Sequence, residues 1–239
     1  MSPREPRLRD RTERRAHRRA EIVAKAAELF IARGYESTSV NDVADALDMS
    51  VGGLYRYIDT KADLLTLVCD DIYGELGDTL RRLASLPEPA AQRLATVCSA
   101  YLRACAENRS LILLMYREYR HLPEPAQRRY ADREEQLVAT LRDLVEDCLS
   151  ARPASAGPLD AGVVARDIIL LGHLPALKGW ALRRQPLDTE ALLREQLRVI
   201  AAIVSAPQAS RDADGAGDPL TGGALRWSGV GLGRVQPAG

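Results

Sequence analysis

Apolar residues recur every three or four positions along nearly all of the first 205 residues, and no stretch alternates β-branched with polar residues between turn signals; the pattern predicts an all-α protein. A first helix is expected from about Arg14 to Arg33, with Ile22, Ala26, Leu29 and Phe30 on one face and Gly34 as a left-handed cap just past its end. Ser39 and Asp42 have the S-x-x-D spacing of a capping box and open a second helix with Val40, Val43, Ala44 and Leu47 inward. After Asp48 and Met49, Ser50 caps a third helix expected from Val51 to about Ile58. Thr60 and Asp63 repeat the capping box at the head of a long fourth helix, whose buried stripe is Leu64, Leu65, Val68, Ile72, Leu76, Leu80 and Leu83.

Pro87 and Pro89 break the pattern, and longer helices follow at about 90–108, 110–121, 124–150, 160–184 and 189–205. Pro175 is expected to kink the fourth of these, because it removes one backbone donor and crowds the preceding turn. Residues 151–158 read as a loop. From Pro207 the composition turns to Gly, Ala, Asp and Ser, too poor in apolar residues to fold alone, which predicts a disordered tail at 206–239.

Charge changes this picture locally. Lys+Arg and Asp+Glu both number 33, so the whole-chain balance argues neither for nor against a polyanionic partner. Residues 1–20, however, carry eight arginines against Glu5, Asp10 and Glu13. Such a block either attracts phosphate or stands as a solvated basic tail. Cys69, Cys98, Cys105 and Cys148 lack any CxxC spacing and fall at apolar helical positions, which predicts buried thiols with no disulfide, metal or cofactor. An arginine-rich start without an apolar segment behind it, and no run near the ~18 residues of a membrane span, lead to the expectation of a cytoplasmic protein with no membrane contact.

The candidate chemistry centres on MSVGGLYRYIDTK, Met49 to Lys61. On the third helix Leu54, Tyr57 and Ile58 share one side, while Val51, Gly52, Tyr55 and Arg56 share another. The second side places small residues at the N-terminal turn and long donors behind them, a shape that fits end-on entry into a DNA major groove. The tyrosine hydroxyls, Arg56 and Lys61 suit backbone phosphates, Val51 a thymine methyl, and Asn41 or Arg56 a base edge. The same spacing also describes an ordinary tight helical pair.

The run GYESTSVNDVADALDMSVGGLYRYIDTKADLL resembles the N-terminal DNA-binding domain of the TetR family of bacterial transcriptional regulators. The likeness lies in the aromatic and Gly before Thr38-Ser39, the Val43-Ala44 pair, the S-x-G-x-L-Y-x-Y core from Ser50 to Tyr57, and Lys61, and it covers about residues 18–65. It implies a three-helix helix-turn-helix domain joined by a fourth helix to an all-helical ligand-binding and dimerisation domain, in a homodimer released from a double-stranded operator by a small molecule. The organisation expected is then a basic flexible arm at 1–17, the DNA-binding domain at 18–62, the ligand-binding and dimerisation domain at 63–205, and the tail. DNA contacts are expected from Thr38, Asn41, Val51, Gly52, Tyr55, Arg56, Tyr57 and Lys61. Asp48 stands where the family usually has glycine, and Gly53 where it has Thr or Ala.

The second unit carries a polar-aromatic cluster after Asn108. Soft apolar surface mixed with donors suits a lipophilic ligand with a polar head, and Tyr101, Met115, Tyr116, Tyr119, His121, His173 and Trp180 are the candidate contacts. Met115 also reads as core filling and His173 as a satisfied core histidine. This stretch and the later GWALRR resemble the C-terminal domains of TetR-type regulators of fatty-acid and steroid breakdown, which implies an acyl-CoA or steroid-like effector. The two last helices are the candidate dimer interface, as an antiparallel two-plus-two bundle. The alternatives in view are an effector-independent architectural DNA-binding protein and an activator. An enzyme is not expected, since HExxH, Walker, dinucleotide and G-x-S-x-G motifs are all missing from the sequence.

Overall fold

The computed structural model describes residues 4–151, 159–182 and 188–205, with side chains from residue 13 onward except 71–75. Ten α-helices lie among the described residues, with no strand: α1 Arg4–Arg33, α2 Val40–Ala46, α3 Val51–Leu54, α4 Lys61–Ala84, α5 Ala90–Glu107, α6 Arg109–Glu118, α7 Glu124–Ser150, α8 Ala161–Leu177, α9 Gly179–Leu182 and α10 Thr189–Ser205. One 3₁₀ turn, Tyr119–His121, follows α6. The expected tail at 206–239, the loop beyond Ala151, Arg183 and Arg184 of GWALRR, and the side chain of Ile72 lie outside what is described.

The local signals in the sequence account for most boundaries. Both capping boxes form: the Ser39 hydroxyl accepts from the Asp42 amide while the Asp42 carboxylate accepts from the Ser39 amide, and Thr60 and Asp63 do the same. Gly34 closes α1 at φ +86°. At the end of α2, the Met49 amide donates to the Ala44 carbonyl at 2.9 Å and the Asp48 amide to that of Asp45 at 3.1 Å, the two bonds of a Schellman motif. Asp48 fills its left-handed position at φ +51°.

Three elements depart from expectation. The segment expected as a flexible arm at 1–17 is helical from Arg4, so α1 starts about ten residues early. Arginine is a good helix former, and Arg18 and His17 each reach Glu21 on the next turn. α3 stops at Leu54 instead of near Ile58; the amides of Arg56 and Tyr57 bond three residues back, to Gly53 and Leu54, in the tighter 3₁₀ manner. Two successive glycines leave too little helical propensity to carry the α form further. The long helix expected at 160–184 breaks at Lys178, three residues past Pro175, into α8 and α9.

Two packed cores result. Ile22, Phe30, Val43, Leu54, Leu64 and Leu65 anchor the first, around α1–α3 and the start of α4. Leu114, Met115, Leu122 and Ala126, from α6 and the segment after it, belong to this same core. The second core gathers α5, α7, α8 and α10 around Tyr101, Leu141 and Ile168, and reaches α4 through Leu80. There α5 and α8 cross at Gly172, where a Cβ would stand 2.6 Å from Tyr101 Cε1, so this approach requires glycine. The cysteines are all buried and free, and burial pushes the thiols of Cys69 and Cys98 up to about 12.

Candidate nucleic-acid interface and cavity

α2 and α3 meet through the Schellman turn, and the Ser50 hydroxyl accepts from the Gly53 amide at 3.1 Å to fix the start of α3. Leu54 and Ile58 are fully inward, as the wheel requires. Asn41, Gly52, Tyr55 and Arg56 are exposed, while Val51 and Tyr57 are half-buried against the core. A Cβ on Gly52 would meet nothing within 4 Å, so nothing inside the folded chain calls for glycine there.

Arg56 and Tyr57 also face a groove lined by Arg14, Arg15, Arg18 and His17 of α1. The guanidinium of Arg15 stands 6.0 Å from the Tyr57 ring centroid. The N-terminal arginines are thus held beside Arg56 and Tyr57, just past α3, in a basic cleft with Glu21 as the carboxylate among its described lining residues.

Thr38, expected at the DNA surface, has its side chain turned inward. It is 1% exposed, and its hydroxyl donates to the Gly34 carbonyl at 2.9 Å, closing the turn between α1 and α2. Lys61 is half-buried; its ammonium sits 4.3 Å from the Tyr35 ring centroid and donates to the Glu36 carbonyl at 3.2 Å.

A cavity of about 610 Å³ opens between α6, α7 and α8. Met115, Tyr116 and Tyr119 line it, three of the seven candidates for ligand contact. The other four are placed elsewhere. Tyr101 is 1% exposed in the second core, where size and burial drew it inward. His173, also buried, is not among the described lining residues and meets the lining Tyr116 through a hydrogen bond and an edge-on ring contact. His121 packs against the first core, its ring centroid 5.2 Å from that of Tyr35 and its Nε2 3.4 Å from Glu36 and 3.7 Å from Glu118. Trp180 is 64% exposed on α9, because the break at Lys178 turns it away from the cavity.

His173 is fully satisfied. The Tyr101 hydroxyl gives its hydrogen to the Ile169 carbonyl at 3.1 Å, so its oxygen accepts from His173 Nε2–H at 3.2 Å. Nδ1 is then the acceptor for the Tyr116 hydroxyl at 2.9 Å. Burial pushes the imidazole below its ordinary range, which keeps this neutral arrangement in place.

Sequence reasoning missed the α7 and α8 walls. Tyr130, Glu134 and Val138 line the cavity from α7, and Arg166, Ile169 and Leu170 from α8. The available signal was the carboxylate of Glu134 at the middle of an i, i+4, i+8 stripe whose other members are aromatic and apolar. Arg166 is held by Glu135 at 2.9 Å, with both side chains more than half exposed at the rim. Glu134 has no hydrogen-bond or ion-pair partner among the described residues, and burial pushes its carboxyl above the usual range.

The comparisons agree with this geometry. A family model for bacterial regulatory proteins, tetR family, matches residues 22–68, and one for the tetracyclin repressor-like C-terminal domain matches residues 87–180. The HTH-type transcriptional regulator HbdR of Aromatoleum sp. (strain CIB) is 25% identical over 69% of this chain and 71% of its own. The HTH-type transcriptional repressor KstR2 of Rhodococcus jostii (strain RHA1) is 31% identical over 47% of this chain and 55% of its own, so that match spans about half its length. Among solved structures, a tetR-family bacterial regulatory protein from Rhodococcus RHA1 superposes with a TM-score of 0.66 at 25% identity, covering 78% of this chain and 96% of the other. AibR, in complex with isovaleryl coenzyme A and operator DNA, shares the fold at a TM-score of 0.61 and 21% identity, over 76% and 97% of the two chains. The helix-turn-helix, the helical second unit and both family matches make this chain a member of the TetR family of DNA-binding transcriptional regulators, not an enzyme.

Proposed function

We propose that the protein is a dimeric repressor that leaves its operator when a lipophilic small molecule fills the cavity between α6, α7 and α8. Residues 18–62 form the DNA-reading unit, and 63–205 the sensing and dimerising unit. Asn41, Val51, Gly52, Tyr55, Arg56 and Tyr57 face the major groove and its phosphates, flanked by the arginines of α1. Lys61 steadies this surface through Tyr35 and offers its remaining donors to phosphate.

The observation that carries the reading is the position of α6. Met115 lines the cavity and is at the same time buried in the first core, where its sulfur touches that of Cys69 on α4. Just past the end of α6, His121 stands 3.7 Å from Glu118 and abuts Tyr35 and Glu36, which hold Lys61. A ligand that displaces Met115 or Tyr119 therefore pushes on the helix that seats the DNA-reading unit, and coupling runs through α6 as well as along α4. A coupling of about 1 to 3 kcal/mol would weaken operator binding roughly 5- to 150-fold.

Dimerisation is supported by apolar residues left outward on the last helices, including Val163 and Leu170 of α8, Trp180 of α9 and Val199 of α10. A twofold axis there would present two α3 surfaces to paired half-sites. The C-terminal resemblance implies an acyl-CoA or steroid-like effector, and the apolar part of the cavity wall suits the lipophilic portion of such a molecule. The test is fluorescence anisotropy with DNA flanking the gene, with and without acyl-CoA and steroid-like ligands. Salt-sensitive specific binding released by a small lipophilic ligand is expected; specific binding that none of these ligands disturbs would remove acyl-CoA and steroids as the effector class, and the absence of specific binding would remove the repressor reading.

A further inference from the structure

The charges around the cavity point to a particular kind of ligand head group. Among the described lining residues, α6 contributes Met115 and Tyr116, the 3₁₀ turn after it Tyr119, α7 Glu134 and Glu135, and α8 Arg166. Arg166, the cation among the described lining residues, is hydrogen-bonded to Glu135 at the rim, and its charge offsets only part of the effect of burial on Glu134. What remains is a half-buried carboxylate, Glu134, without an ion-pair partner among the described residues, in a chamber also walled by three tyrosine rings, two of them packed edge to face with centroids 5.7 Å apart.

An anionic head group would meet Glu134 as a like charge, and a neutral one would desolvate it further without pairing it. A positive charge reverses both effects. Tyrosine faces attract cations through their quadrupole, most strongly where water is excluded, and a buried carboxylate supplies the compensating charge. We propose that this cavity takes a lipophilic organic cation, with its charged centre set against Glu134 and the rings of Tyr116, Tyr119 and Tyr130. The proposal rests on the reading of the cavity as the effector site and narrows the effector by charge, away from acyl-CoA.

Tetraphenylphosphonium and tetraphenylborate, ions of nearly the same shape and opposite charge, make the test direct. Calorimetric titration of the full chain should show the phosphonium binding at least tenfold more tightly than the borate. Glu134→Gln should weaken the phosphonium about tenfold, which corresponds to about 1.4 kcal/mol, and bring the two ions together. Arg166→Gln removes an opposing positive charge and should tighten the phosphonium several-fold, an increase that loss of folding cannot produce. Equal binding of the two ions, or phosphonium affinity indifferent to Glu134→Gln, would overturn the proposal. Operator release by decanoyl-CoA with the phosphonium inert would keep the regulator reading and overturn this one. Phosphonium binding that depends on Glu134 but leaves operator affinity unchanged would keep the cation site and overturn its reading as the effector site.

Discussion

Gln196 of α10 repairs the bond that Pro175 removes from α8. In a continuous helix the amide of residue 175 would donate to the carbonyl of Leu171; proline has none, and the Gln196 side-chain amide donates to that carbonyl instead, at 2.6 Å. Gln196 is 5% exposed, a polar side chain placed among apolar neighbours by this one acceptor.

Gln196→Leu should therefore lower the unfolding free energy by about 1 kcal/mol, because the cost of leaving the Leu171 carbonyl unsatisfied is partly offset by removing Gln196 Oε1, which is buried without a partner among the described residues. Against a Pro175→Ala background, where the helix can bond Leu171 itself, the same change should cost less. Denaturant unfolding of the four proteins gives the coupling, and additive effects would show that the two residues act independently.

Asp48 carries a backbone conformation that glycine adopts without penalty. At φ +51° an L side chain pays about 1 kcal/mol, so Asp48→Gly should raise stability by up to that amount. Thermal unfolding checks it. A lower melting temperature in the variant would mean that the aspartate contributes more to the turn than its backbone costs.

Gly52 should respond with opposite signs in two assays. Because a Cβ there meets nothing within 4 Å, Gly52→Ala adds helix propensity without a clash and should leave the melting temperature unchanged or raise it. If the backbone at the start of α3 lies against a groove wall, the same methyl should weaken specific operator binding about tenfold. Unchanged affinity in anisotropy titrations would place Gly52 away from the DNA.

The helix pattern was legible because it rests on local chemistry: both capping boxes, Gly34 and the start of α5 at Ala90 lie where short-range signals put them. The early end of α3 was less legible, since inward spacing of Leu54, Tyr57 and Ile58 is kept by 3₁₀ turns as well as by α-helix. The cavity was half legible. Residues close in sequence, Met115 to Tyr119, were found together, but the α7 and α8 walls come from segments tens of residues away whose facing depends on tertiary packing. Tyr101 and His173 carry the residue types of a binding site and serve the core, where each satisfies the other.

His173 gives the protein a stability that depends on pH in a predictable direction. Its folded-state pKa lies below the ordinary histidine value near 6.5 because burial disfavours the charged ring. As pH falls below about 6.5, the unfolded chain takes up a proton that the folded chain still refuses, so the unfolded state is favoured and stability is lost. The loss continues until pH reaches the folded value and then levels off. Above about 6.5 the ring is neutral in both states and contributes no slope. Replacing the ring with a non-titrating donor and acceptor, His173→Gln, should lower stability at pH 7.5 by breaking the bonds to Tyr101 and Tyr116, yet remove this part of the acid dependence. Chemical denaturation at pH 7.5 and 5.5 separates the two effects, because His17 and His121 are common to both proteins. An identical loss of stability on acidification in the wild type and the variant would show that His173 protonates as readily folded as unfolded, and the neutral Tyr101–His173–Tyr116 chain would have to be abandoned.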